Sequence, residues 1–128
     1  MADSLAPKAS IILSTYQWPE ALAIVLSGLV TQSERSFEVM IADDGSDART
    51  KAVIDGYRRR APFEVRHFWQ ENKGFRKSRI LNEAIRAARG TTLIFLDGDC
   101  VPHHEFVAQH LALQEPDRYV AEIGRAHV

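Results

Sequence analysis

The sequence predicts an α/β fold, a mainly parallel sheet with helices on both faces. Short apolar runs alternate four times with segments of helical periodicity, and the connections are only a few residues long, the pattern of parallel strands sandwiched by helices. The bulky run Thr92-Leu93-Ile94-Phe95-Leu96 is too short for a surface helix and is closed by Gly98 and Pro102, which marks a buried strand. It runs directly into Asp97-Gly98-Asp99, and the carboxyl ends of strands are where open α/β sheets hold ligands.

The elements follow in order. Beyond Pro7, Ala9-Ser10-Ile11-Ile12-Leu13-Ser14-Thr15 reads as the first strand, apolar in its middle and hydroxylated at its end. Tyr16-Gln17-Trp18-Pro19 is the loop beyond it, with Pro19 suited to a first helical turn. Leu22, Val25, Leu26, Leu29 and Val30 recur at helical spacing and carry that helix to about Thr31. Phe37 to Ala42 is the second strand, ending in Asp43-Asp44-Gly45-Ser46-Asp47. Ser46 or Asp47 can cap the next helix, Ala48 to about Arg59, whose Val53, Ile54 and Tyr57 share one side. The basic run Arg58-Arg59-Arg60 is favourably placed against the helix dipole and reads as a solvated terminus.

Phe63 to Trp69 alternates apolar and polar residues, as expected of a third strand near the sheet edge. A helix from about Phe75 to Ala88 turns Ile80, Leu81, Ala84 and Ile85 inward, and Gly90 stands where a helix C-terminus favours glycine. Lys77 and Arg79 point away from that inward face and read as surface residues. After the Thr92 strand a fourth helix is expected over His103 to Gln114, opened by His103 and His104 and ended at Pro116-Asp117. Tyr119-Val120-Ala121 can begin one more strand.

Composition narrows the class. With 128 residues, 45% hydrophobic and 26% charged, the chain is that of an ordinary globular domain. A net charge of -1 gives no bulk attraction for nucleic acid. One cysteine, Cys100, permits no internal disulfide and fits a reducing compartment. Five histidines and that single cysteine show no zinc-ligand spacing. The longest apolar run, Ala21 to Val30, is about half a membrane span, and Met1 to Lys8 has no signal-peptide character. A cytoplasmic protein without a transmembrane segment is expected, which leaves room for peripheral membrane association.

Polar groups cluster after three strands, at Ser14 to Tyr16, Asp43 to Asp47 and Asp97 to Asp99, and a fourth loop adds Lys73, Arg76, Lys77 and Arg79. Together they could supply an aromatic face for a base, an acceptor for its ring N–H, and cations or a metal for a diphosphate. Asp97 and Asp99 are hard oxygen donors of the kind that hold a divalent cation alongside water and phosphate. Each loop alone could equally be a turn or a strand end.

In combination these motifs resemble the N-terminal half of family 2 glycosyltransferases: the strand ending Ser14-Thr15-Tyr16, then Asp43-Asp44-Gly45-Ser46, then Asn72-Lys73-Gly74 with Asn82, then Phe95-Leu96-Asp97-Gly98-Asp99. The likeness runs from Ala9 to Val120. Gly74-Phe75-Arg76-Lys77 and the Asp97-to-Pro102 turn are further similar to bacterial enzymes that build polysaccharides and lipopolysaccharide-type glycans. The resemblance implies a GT-A fold, a nucleotide-diphosphate sugar donor, a glycan or lipid-linked glycan acceptor, and transfer with inversion. It implies that Ser14 and Tyr16 line the base pocket and that Asp44 accepts the N–H of uracil if the donor is a uridine nucleotide. Arg76 would reach the base or diphosphate, Asp97 would hold the ribose or a metal-bound water, and Asp99 would bind Mn²⁺ or Mg²⁺. The chain departs from the family in passing directly from Ser46 to Asp47, which bears on the start of the second helix.

An inverting transferase needs a general base, normally a carboxylate. After Asp99 only Glu105, Glu115, Asp117 and Glu122 remain, and none is suitably placed. A C-terminally truncated donor-binding domain over residues 1–122 is therefore expected. Ile123-Gly124-Arg125-Ala126-His127-Val128 matches a reading frame of a common sequencing adapter, so residues 123–128 are expected to be a non-native tail. Two other readings compete. In a haloacid-dehalogenase-like phosphatase Asp97 would be a nucleophile and Asp99 an acid/base, but that class carries its motif on the first strand. A nucleotide-sugar-binding module without chemistry would use the same site.

Overall fold

The computed structural model of the protein describes residues 6–72 and 77–113, and the backbone of 120–121 and 126–127. Its elements are β1 (Ala9–Thr15), α1 (Pro19–Val30), β2 (Phe37–Asp43), α2 (Ala48–Arg60), β3 (Val65–Trp69), α3 (Lys77–Ala87), β4 (Thr92–Asp97), β5 (Cys100–Val101), α4 (Phe106–Ala112), β6 (Val120–Ala121) and β7 (Ala126–His127). The main sheet has the order β3-β2-β1-β4-β6, and each neighbouring pair is parallel. β5 and β7 form a small antiparallel pair beside it. The expected alternation and the edge position of β3 are both present.

The two faces of the sheet are covered by different helices. Ile11, Leu13, Val39, Ile41, Ile94 and Leu96 pack with Leu22, Val25, Leu26 and Leu29 of α1, Ile54 of α2, and Phe106 and Val107 of α4. On the opposite face Ile12, Met40 and Ala42 meet Ile80 and Ala84 of α3. Residues i and i+1 of a strand point to opposite faces, so Ile11 and Ile12 can serve two cores only because helices cover both sides.

Several boundaries differ from expectation for identifiable reasons. The fourth helix begins at Phe106 rather than His103. The carbonyls of His103 and His104 accept hydrogen bonds from Gln32 Nε2 (2.6 Å) and the Ser33 amide (3.0 Å), which holds that segment against the end of α1 instead of in a helix. Gly28 lets this segment approach, since a Cβ there would lie 3.2 Å from Pro102. Gly90 does not adopt the left-handed conformation of a helix cap. It is pressed against β1, where a Cβ would lie 2.5 Å from the Ala9 carbonyl carbon. Asp47, not Ser46, caps α2, its carboxylate accepting from the Arg49 amide at 3.0 Å. The expected start of α3 at Phe75 and the end of the fourth helix at Gln114 lie outside the described residues.

At the N-terminal edge of the sheet, Glu38 is buried. Its carboxylate accepts from Ser10 Oγ (2.6 Å), the Arg89 amide (2.6 Å) and Arg89 Nε (3.3 Å). Burial pushes the Glu38 carboxyl up, but the Arg89 amide, the Ser10 hydroxyl and the Arg89 guanidinium together hold it below the usual carboxylate range.

Candidate active site

The chain order β1, β2, β3 runs to one side of β1, and β4 lies on the other. A switch point therefore falls between β1 and β4, the place where an open α/β sheet leaves a crevice at its carboxyl edge. Register levels the strand ends: Ser14 stands opposite both Ala42 and Asp97, and Thr15 opposite Asp43. An open cleft of about 380 Å³ lies there, lined by Ser14, Tyr16, Trp18, Asp44, Asp97 and Asp99 together with Thr15, Asn72 and Lys77. That volume is in the range of small-molecule sites.

β4 supplies the acidic corner. Ser14 Oγ donates to Asp97 Oδ1 at 3.0 Å, and the Gly98 amide donates to the Ser14 carbonyl at 2.7 Å. A Cβ on residue 98 would lie 2.7 Å from that carbonyl oxygen, so glycine permits the turn to close against β1. Asp97, Asp99 and Cys100 bring one potential ligand atom each within 4.8 Å of one another. Cys100 is buried and its thiol donates weakly to Asp99 Oδ1 at 3.5 Å. Two carboxylates facing an open cleft suit a hard divalent cation that keeps positions for water and phosphate oxygen.

The loops after β1 and β2 are stitched together. Gln17 has φ 52°, an uncommon conformation for a residue with a Cβ. It is held by two hydrogen bonds, its amide donating to Ser46 Oγ (2.8 Å) and its Oε1 accepting from the Asp47 amide (2.7 Å). Ser46 is fixed in turn: its amide donates to Asp43 Oδ1 (2.9 Å) and its carbonyl accepts from Trp69 Nε1 (3.0 Å). The other Asp43 oxygen lies 2.8 Å from His67 Nε2. Tyr16 and Trp18, flanking the strained Gln17, both line the cleft and remain about half exposed, at 52% and 44%.

Asp44 is held from three sides. Its amide donates to the Thr15 carbonyl (3.3 Å), its carbonyl accepts from Asn72 Nδ2 (3.1 Å), and its Oδ1 accepts from Gln70 Nε2 (2.8 Å). Gly45, at φ 99°, completes the turn against Asn72.

Ser14, Tyr16, Asp44, Asp97 and Asp99 thus converge on one cleft, while Arg76 lies outside the described residues. Lys77 requires a correction: it is exposed, but it also lines the cleft, because it opens α3 at the cleft's rim. Trp18 and Gln70 are site residues that the sequence motifs do not single out. Trp18 could have been suspected from its place two residues after Tyr16, whereas Gln70 reaches the site only through the pairing of β3 with β2. Glu105 is exposed in the loop before α4 and does not line the cleft; Glu115, Asp117 and Glu122 lie outside the described residues. Among the described residues no helix is long and apolar enough to cross a membrane.

Known proteins are similar to this chain in sequence and in fold. The family model for glycosyl transferase family 2 matches residues 10–128. The glycosyltransferase YfnE of Bacillus subtilis (strain 168) is 33% identical over 118 residues, 91% of this chain and 29% of the relative. The hyaluronan synthase of Pasteurella multocida is 34% identical over 107 residues, 80% of this chain and 11% of the relative. This chain thus spans less than a third of either relative. Among solved structures, S. aureus TarS in complex with UDP superposes with a TM-score of 0.73 at 25% identity, over 82% of this chain and 31% of that one. The mannosyltransferase PcManGT from Pyrobaculum calidifontis, at 22% identity, has a TM-score of 0.74 over 88% of this chain and 34% of its own, a likeness of fold alone. These neighbours share the GT-A fold, as the strand order and cleft position anticipate. The chain belongs to glycosyl transferase family 2.

Proposed function

We propose that the cleft binds a uridine-diphosphate sugar with a divalent cation, Mn²⁺ or Mg²⁺, and that the activity it serves is inverting transfer of the sugar to a glycan or lipid-linked glycan acceptor. The observation that carries this reading is the convergence of Tyr16, Asp44, Asp97 and Asp99 on one cleft at the switch point of the sheet. TarS, a neighbour in fold, has been solved with UDP and with UDP-GlcNAc, which supports the choice of nucleotide.

In this reading the Tyr16 ring stacks on the base and the Asp44 carboxylate accepts the uracil N–H. Ser14 orients Asp97 by its hydroxyl, Asp97 meets the ribose or a water on the cation, and Asp99 binds the cation. Arg76 would reach the base or diphosphate, as the family resemblance implies. When bound, the cation neutralises charge on the departing diphosphate. Residues 1–122 form the donor-binding domain in this scheme.

Calorimetric titration with UDP and Mn²⁺ tests the proposal, repeated with Asp99→Ala. Binding that depends on the cation and is lost in the variant is expected. A folded sample that binds no nucleotide with the cation present would remove the reading.

A further inference from the structure

Asp44 stands in the cleft with one of its two oxygens already engaged, since Oδ1 accepts from Gln70 Nε2 at 2.8 Å. Among the described residues no partner faces its Oδ2. A half-turn of the carboxylate would only exchange its two oxygens, and the backbone of Asp44 is tied on both sides. Its amide is bonded to the Thr15 carbonyl and its carbonyl to Asn72 Nδ2. Gln70 is also anchored, its amide donating to the Asp43 carbonyl at 3.2 Å, directly after Trp69 bonds to Ser46.

We propose that Gln70 sets the base specificity of the cleft by occupying one oxygen of Asp44 and leaving a single acceptor for the base. The inference rests on the reading of the cleft as a nucleoside-diphosphate site. Uracil and thymine present one ring N–H between two carbonyl groups, so one free carboxylate oxygen satisfies them, and a second would face a carbonyl oxygen. Guanine presents a ring N–H and an adjacent amino group, two donors side by side that are matched by both oxygens of one carboxylate. With Gln70 in place, guanine must displace the amide or leave a donor unpaired, and an unpaired polar group in a site is a strong source of discrimination. Gln70 is thus a positioning residue that acts through Asp44.

The test is titration of the full chain with UDP and with GDP, each with Mn²⁺, comparing the wild type with Gln70→Met, which keeps the side-chain length but cannot donate. The wild type is expected to favour UDP by about tenfold or more. In Gln70→Met the ratio of the two dissociation constants should shrink by about fivefold, mainly through tighter GDP binding. A side chain that merely supported the loop would weaken both nucleotides alike, and an unchanged ratio would overturn the proposal. Equal affinities in the wild type, or a preference for GDP, would overturn it while leaving the nucleotide site intact. Failure of the folded wild type to bind either nucleotide would overturn both the site reading and this inference. Gln70→Asn, which is too short to reach Asp44, should reproduce the methionine result if the lost contact is responsible.

Discussion

Ser14 and Asp97 are partners twice over: they face each other in the parallel register of β1 and β4, and the serine hydroxyl donates to the aspartate carboxylate at 3.0 Å. The hydroxyl fixes which way Asp97 points into the cleft. Ser14→Ala should therefore leave the fold intact and weaken cation-dependent UDP binding about fivefold, the worth of one modest hydrogen bond. Isothermal calorimetry at constant Mn²⁺ measures it, and an unchanged affinity would mean that Asp97 is oriented by other contacts.

Gly98 has no room for a side chain. Its Cβ would approach the Ser14 carbonyl oxygen to 2.7 Å and Thr15 Oγ1 to 3.1 Å, and the nearer atom is backbone that cannot step aside. Gly98→Ala is expected to cost about 1–3 kcal/mol of stability and to push Asp97 and Asp99 away from β1. Thermal unfolding should show a lowered midpoint, and nucleotide binding at a temperature where the variant is folded should still be impaired.

Tyr16 offers its ring to the cleft and is half exposed without a ligand. Replacing it tests stacking apart from hydrogen bonding. Tyr16→Ala should weaken UDP binding by about 1–3 kcal/mol, while Tyr16→Phe should bind nearly as the wild type does. Equal losses in both variants would assign the effect to the hydroxyl instead.

Glu38 makes stability depend on acid. Its carboxyl is held below the ordinary range when folded, since burial is outweighed by the Arg89 amide, the Ser10 hydroxyl and the Arg89 guanidinium. The contribution is therefore fully present above the unfolded value near 4.5 and is lost as pH falls through the lowered folded value. Glu38→Gln should destabilise the protein at pH 7, where it loses the charged acceptor, and should flatten the fall in melting temperature between about pH 5 and pH 3. A wild-type melting temperature that is level across that interval would contradict the assignment.

Much of this architecture is legible in the chain itself. β1 spans the residues its apolar pattern indicates, and Leu22, Val25, Leu26 and Leu29 all face the core as their spacing requires. The acidic motif also lies where a strand of its kind should end, at the carboxyl edge. Other features depended on competition between distant groups. His103 and His104 stay out of α4 because Gln32 and Ser33 claim their carbonyls, and helical periodicity carries no trace of such a rival. Lys77 reads only as a surface residue because spacing distinguishes the buried side of a helix from the exposed one, not which exposed residues sit at the rim of a cleft.

What the sequence determined by itself is the local part: where strands and helices lie, and which carboxylates and aromatics stand at strand ends, because side-chain periodicity and turn chemistry act over a few residues. The tertiary structure alone decided the strand order, with β1 between β2 and β4, and the register that sets Ser14 beside Asp97. It also decided that Gln70 reaches Asp44 and Gln17 reaches Ser46, pairs 26 and 29 residues apart. Those contacts arise only once the parallel strands are aligned, and alignment is set by the packing of two apolar faces at once, which no short stretch of sequence encodes.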